Sequence, residues 1–300
     1  MTRVKAKRSR KPMSLARRIR RTILTVLTCI GLSVMAYPFA CNLYFMYQST
    51  RLTTSYDEMV ESQPDEELER MWAEAVAWNQ GHLYNVIDDP FADDPRVIQQ
   101  NAEYDSLLNP TNDRVMGYVD IPKIGQRLAI YHDTDPDGLL KGAVHLQGTS
   151  LPVGGDTSHC VLSGHRGLAT AALFTDLDQM REGDIVNIYI LDHALSYEVD
   201  QILTVKPTEV EALELVPGED LLTLVTCTPY AVNTHRLLVR GHRVPYVQKT
   251  SPVTEGLRFL TPQRLMLIAI GVLLGAVLVW LADRRRLRGG KAVRKGRHAA

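Results

Sequence analysis

Cysteine is scarce in this chain: there are four in 300 residues, and Cys29 and Cys41 lie inside an uncharged apolar run. Only Cys160 and Cys227 remain for the rest of the molecule, which excludes a disulfide-dense scaffold. They are left either as one disulfide or as a structural and a reactive thiol. Close pairs of metal ligands are lacking too. A zinc site built from His159, Cys160 and His165 would have no second ligand pair at the usual spacing, so neither metal nor cofactor is expected. No internal repeat is present, which excludes solenoids and propellers.

Acid is missing where base is dense. Residues 1–21 hold ten Lys/Arg and no Asp or Glu, and residues 283–300 hold eight Lys/Arg against Asp283 alone. The formal net charge of +0 therefore hides 16 Lys/Arg against 33 Asp/Glu between residues 22 and 282. Basic tails can bind nucleic acid, but here each adjoins a run without charge. Residues 265–282 are eighteen such residues, about 27 Å of helix and one hydrocarbon core. Residues 22–47 form the second run, with Pro38 as an expected kink point. Cations flanking a span favour the cytoplasmic side. The expected partner is thus the membrane and not nucleic acid, with both termini inside and residues 48–264 outside as one acidic ectodomain. Residues 22–47 read as an uncleaved anchor, because apolarity continues to Tyr47; the alternative is a signal sequence ending near Val34-Met35-Ala36.

Residues 56–80 carry a helical apolar pattern (Leu68, Met71, Trp72, Ala75, Val76, Trp78) and read as a helical stalk. Residues 84–113 are dense in Asp, Asn and Pro and read as a long turn-rich segment. From residue 116 the period changes to that of strands: 117–121, 126–131, 159–163, 185–191, 195–205, 220–226 and 236–244. A short helix is expected at about 169–180, with Leu173, Phe174, Leu177 and Met180 on one face, and a hairpin turn at Asp192-His193-Ala194. Many short strands with little helix indicate a small barrel or sandwich.

Three segments carry chemistry. In Thr223-Leu224-Val225-Thr226-Cys227-Thr228-Pro229-Tyr230 a strand ends in a cysteine, placing the thiol at a strand mouth. In Ser163-Gly164-His165-Arg166-Gly167-Leu168 a histidine leaves a strand between two glycines. In Asn233-Thr234-His235-Arg236 an arginine opens the last strand. Antiparallel pairing of the last two strands would make Cys227 and Arg236 cross-strand neighbours. A thiol of ordinary pKa is only slightly ionised at neutral pH, so a nearby histidine is needed as base and later as acid. A permanently charged arginine suits an oxyanion. Cys227, His165 and Arg236 are the candidate catalytic set. Cys160 reads as a small buried hydrophobe, His235 should face away from Arg236, Arg240 should lie deeper along the same face, and Arg166 should line the groove.

These motifs resemble those of the sortases, and Pro229-Tyr230 with Asn233-Thr234-His235-Arg236 resembles the pilin-assembling class C branch. The similarity covers roughly residues 84–245. It implies a mainly β fold, a closed eight-stranded β-barrel with short helices, preceded by a helical stalk and lid segment and flanked by two transmembrane helices. The division expected is a basic tail (1–21), an anchor (22–47), stalk and lid (48–115), a catalytic barrel (116–248), a linker (249–264), a second span (265–282) and a second basic tail (283–300). The resemblance further implies cleavage of a Leu-Pro-x-Thr-Gly-type sorting signal after Thr, a thioacyl-enzyme on Cys227, and transfer to an amine on a pilin lysine. It also implies a lid, Asp89-Pro90-Phe91, with Asp89 on Arg236 and Phe91 over Cys227. Ala231 departs from the family, where glycine is usual. Two alternatives stand beside this: a housekeeping sortase attaching surface proteins to cell-wall peptide, and a catalytically silent, membrane-tethered binding module. Papain-like proteolysis fits poorly, because that family's cysteine context is missing.

Overall fold

The structure is a computed structural model, and it describes residues 15–81, 101–132 and 137–248. The expected lid (Asp89, Pro90, Phe91), the linker, the second span, the C-terminal basic tail and residues 1–14 of the N-terminal one lie outside the described residues.

Helix α1 runs unbroken over Leu15–Glu61 and passes through Pro38. Its first part is exposed, and burial begins at Cys41 and Asn42 and then follows a helical period through Phe45, Met46, Tyr47, Thr50, Thr53, Tyr56 and Val60. The sequence reading ended one element at 47 and began the next at 56; a single helix covers both. The real break is at Pro64. Proline disfavours helical backbone in the residue before it but serves well at a helix start. The Pro64 carbonyl accepts from the amides of Glu67 and Leu68 at 2.9 and 3.2 Å. Helix α2 (Asp65–Gly81) follows, with Asp65, Glu66 and Glu67 in its first turn, where the helix dipole favours acids. It docks through Trp72, stacked on His193 at 3.7 Å between ring centroids, and through Asn79, which exchanges two hydrogen bonds with the Leu151 backbone. The turn-rich stretch hides a short helix, α3 (Ala102–Ser106), capped by the Asn101 side chain on the amides of Glu103 and Tyr104.

Eight strands among the described residues close into a barrel: β1 (Val115–Ile121), β2 (Gln126–His132), β3 (Ala143–His145), β4 (Ser158–Ser163), β5 (Ile185–Ile190), β6 (His193–Val205), β7 (Asp220–Thr228) and β8 (His235–Val244). Their order around the barrel is β1-β2-β3-β4-β7-β8-β6-β5, with β2–β3 and β4–β7 parallel and the remaining pairs antiparallel. Strand β3, preceded by the one-turn α4 (Gly138–Lys141), was not legible in advance. Three residues are too few to show a period. β1 and β2 are buried throughout, because α1 covers their outer face: Tyr56 Oη donates to the Met116 carbonyl and accepts from the Leu191 amide.

Two expectations were wrong in shape. Residues 169–180 do bury Leu173, Phe174, Leu177 and Met180, but as turns and a single 3-10 turn at Leu177–Gln179. Leu173 has φ 44°, which no α-helix accommodates. The hairpin between β5 and β6 is tighter than the expected Asp192-His193-Ala194. Ile190 pairs with His193, leaving a two-residue turn with Leu191 at φ 51°.

Candidate active site

The faces of β7 alternate. Leu222 and Leu224 point into the main core with Cys160, Leu162, Leu237 and Val239. Val225 belongs to a separate outer cluster with Leu146, Val161, Leu213 and Leu238. Cys227 shares the parity of Val225, so its side chain lies on the outer face, beyond the barrel core. The β6–β7 connection roofs this outer cluster through Leu213, with Ala212 packed against it. Cys227 is nonetheless only 7% exposed.

Register brings the three candidates to one end of the barrel. Cys227 pairs directly with Arg236 across β7 and β8. On the other side, β4 runs parallel to β7 with Ser163 opposite Val225, so two residues further on His165 comes level with Cys227. The continuation past the strand is held by two bonds. The Gly164 amide donates to the Val225 carbonyl at 3.1 Å, and the Thr226 hydroxyl donates to the Gly164 carbonyl at 2.7 Å. His165 is half-buried, and that burial holds its pKa below the ordinary imidazole value, which favours the neutral ring. Arg236 is buried, and its Nη1 donates to the carbonyls of Asn233 and His235, both at 3.1 Å, which fixes the plane of the guanidinium.

The two glycines around His165 have different reasons. A Cβ on Gly164 would sit 2.7 Å from the Phe174 ring. Gly167 has φ 82°, the left-handed region that glycine adopts without strain. Arg166 spans the mouth: it donates to the Thr228 hydroxyl at 3.0 Å, pairs with Asp178 at 2.5 Å and lies over the Tyr230 ring at 6.0 Å. Sequence reasoning placed Arg166 in the groove but missed these contacts and the tie made by Thr226. The signal was present in the threonines that flank the cysteine.

The rivals are accounted for. Cys160 is buried on the interior face, and burial pushes its thiol pKa well up. It sits opposite Leu222, five residues from Cys227 along β7, or about 16 Å. A disulfide needs Cα atoms within about 7 Å. Arg240 makes a two-pronged contact with Asp200 at 3.0 and 3.1 Å. His235 pairs with Thr228 in register, and its Nδ1 lies 2.9 Å from the Thr234 hydroxyl. Among the described residues, no three His, Cys, Asp or Glu side chains come together to hold a metal ion. Ala231 adopts φ 62°, a conformation glycine would take at lower cost.

Comparison with known proteins agrees with this arrangement. Residues 119–244 match the sortase domain. Sortase A of Bacillus anthracis is 25% identical over 161 residues, covering 54% of this chain and 75% of that protein. The crystal structure of sortase C from Streptococcus pneumoniae, described with reference to its pilin substrate specificity, is 43% identical, with a TM-score of 0.58 over 65% of this chain and 97% of its own. Sortase C-1 of Actinomyces oris is 45% identical, with a TM-score of 0.57 over 60% of this chain and 99% of its own. A barrel of this topology, a match across it and these identities over nearly whole solved structures place the chain in the sortase family of transpeptidases.

Proposed function

We propose that this sortase joins pilin subunits at the outer face of the membrane, with Cys227 as nucleophile, His165 as proton carrier and Arg236 as the cation facing the reacting carbonyl. The register that sets Cys227 against Arg236 and brings His165 level with it is the observation that carries this reading. His165, its neutral ring favoured by burial, takes the thiol proton as sulfur attacks the threonine carbonyl of a Leu-Pro-x-Thr-Gly-type signal. The oxyanion forms toward Arg236. Collapse breaks the Thr–Gly bond, and the departing glycine amine takes the proton from His165. An acceptor amine then attacks the thioacyl carbon, losing a proton as the thiol is restored. Mass balances: one amide is broken, one is made, and no external reductant or oxidant enters.

The pilin reading rests on the solved class C relatives, at 43% and 45% identity. The sortase A relative of Bacillus anthracis, at 25% identity, supports attachment of single surface proteins to cell-wall peptide as the second reading. An acceptor competition separates the two. Full-length protein is given a Leu-Pro-x-Thr-Gly peptide with equal amounts of a lysine-bearing pilin segment and a cell-wall peptide amine. The lysine isopeptide product is expected to dominate; dominance of the cell-wall conjugate would overturn the pilin assignment.

Asp89-Pro90-Phe91 is proposed as a lid, with Asp89 reaching Arg236 and Phe91 covering Cys227. Asp89→Ala with Phe91→Ala should then speed modification of Cys227 by a small thiol reagent several-fold. Equal rates in parent and double variant would remove the lid.

A further inference from the structure

α1 joins the apolar run to the barrel as one helix with Pro38 inside it. Residues 22–40 are uncharged, and every residue among them whose surroundings are described is exposed. These nineteen residues rise about 28 Å, one hydrocarbon core. The barrel begins to touch the helix immediately afterwards. The Asn42 side-chain oxygen accepts from the Ala172 amide at 2.9 Å. One face of α1 then climbs the barrel, with Ser49 on the Arg127 carbonyl and Tyr56 between Met116 and Leu191. From Asn42 to Tyr56 the helix rises about 21 Å: Ser49 meets Arg127, which pairs with Asp120 near one end of β1, and Tyr56 reaches Met116 near the other.

The end met first is the catalytic end. Ala172 belongs to the loop that follows His165, and the Phe174 amide in that loop donates to the His165 carbonyl at 3.2 Å. Gly167 in the same loop abuts Tyr230, which starts the β7–β8 loop between Cys227 and Arg236. That loop carries two exposed apolar side chains, Tyr230 at 56% and Val232 at 63%. On α1, Leu43 and Tyr44 are also exposed at the level where the apolar run ends. The acids and bases along this end are mixed (Lys123, Asp176, Asp178, Arg181, Glu182), so a net charge does not hold it to anionic lipid. The helix itself sets the height.

We infer that the barrel is held mouth-down on the bilayer, with the β7–β8 tip at Tyr230 and Val232 resting in the lipid interface, so that the catalytic cleft opens at the membrane surface. This rests on reading the 22–47 run as the membrane anchor, with its exposed part, residues 22–40, within the bilayer. The occupant of the apolar tip is lipid: residues 22–40 leave the bilayer two residues before the contact at Asn42 that fixes the mouth, and amphipathic aromatic tips suit that depth.

The test uses the full chain in nanodiscs of equal phosphatidylcholine and phosphatidylglycerol, with a benzophenone amino acid placed singly at Leu27, Val232 or Asp192. Asp192 marks the β5–β6 turn at the opposite end of the barrel. Each variant is first matched to the parent in thermal melting, then irradiated, and lipid adducts are read by intact mass. Adducts at 27 and 232 with none at 192 are expected. Seven polar helix-forming residues inserted after Ala40 keep the helix face and lift the barrel by about 10 Å. They should cut the adduct at 232 at least tenfold and leave that at 27 unchanged. Adduct at 27 with none at 232, equal adducts at 232 and 192, or protein in place of lipid at 232 would each overturn the inference while leaving the anchor intact. No adduct at 27 would remove the anchor reading, and this inference with it.

Discussion

The hydroxyl of Thr226 donates to the carbonyl of Gly164 at 2.7 Å, tying the residue before the candidate nucleophile to the residue before the candidate base. Both groups are buried, so the bond holds β7 and the segment leaving β4 at a fixed separation where water does not compete. Thr226→Val keeps the shape and leaves a buried carbonyl unsatisfied, at about 1–3 kcal/mol. The expected result is kcat lowered roughly tenfold or more with KM little changed, and recovery in Thr226→Ser. A valine variant with parental kcat would show that the tie has no positioning role.

Arg236→Lys should be strongly impaired although the charge is kept. The guanidinium is a planar fork oriented by two carbonyls at 3.1 Å, whereas an ammonium is a flexible point charge. Loss of one well-aimed donor to an oxyanion costs about 10²–10³ in kcat. Steady-state peptide cleavage measures it, and a lysine variant within a few-fold of the parent would exclude that role.

Acid should destabilise the barrel through its buried histidines. Burial lowers the pKa of His132, His145 and His159, and for His145 the value falls from 6.5 to about 4. His145 accepts from Tyr104 Oη at Nδ1 and donates from Nε2 to the Ser150 carbonyl, at 2.8 and 3.0 Å, an arrangement that needs the neutral ring. Below 6.5 the unfolded chain takes up a proton that the folded chain refuses until about 4. The stabilisation is therefore full above 6.5 and lost as pH falls through that window, on the order of 3 kcal/mol for His145. Tm should drop steeply between pH 6.5 and 4, and less steeply in His145→Gln when each is referred to its own value at pH 7.5.

Ala231→Gly should stabilise. At φ 62° the alanine methyl crowds its own backbone, and relief outweighs the added freedom of the unfolded chain by about 0.5–1 kcal/mol. A rise in Tm of roughly 1–4 °C is expected, measured by calorimetry, and a fall would contradict the strain.

Much of this was legible in the residues. The parity that sends Cys227 outward and Leu224 inward is written in the alternation of β7. The Cys227–Arg236 pairing follows once a loop joins two antiparallel strands. What escaped needed tertiary information. β3 is three residues long, and its place between β2 and β4 is set by pairing alone. Residues 169–180 have a helical spacing of apolar groups, yet Leu173 at φ 44° folds them into turns that still bury the same side chains. α1 looked like two elements because residues 48–55 are mostly polar and interrupt the apolar pattern, while its backbone continues through them. The tie from Thr226 to Gly164 joins residues 62 positions apart, which spacing along a chain cannot report.

The central claim is that Cys227 carries the acyl group, and the direct measurement is the site of the covalent intermediate. Full-length protein is incubated with a Leu-Pro-x-Thr-Gly peptide without an acceptor amine, quenched in acid and mapped by peptide mass spectrometry. The peptide acyl group is expected on the fragment containing Cys227, retained in Cys160→Ala and absent, together with turnover, in Cys227→Ala. An acyl group on Cys160, or undiminished cleavage by Cys227→Ala, would contradict the account.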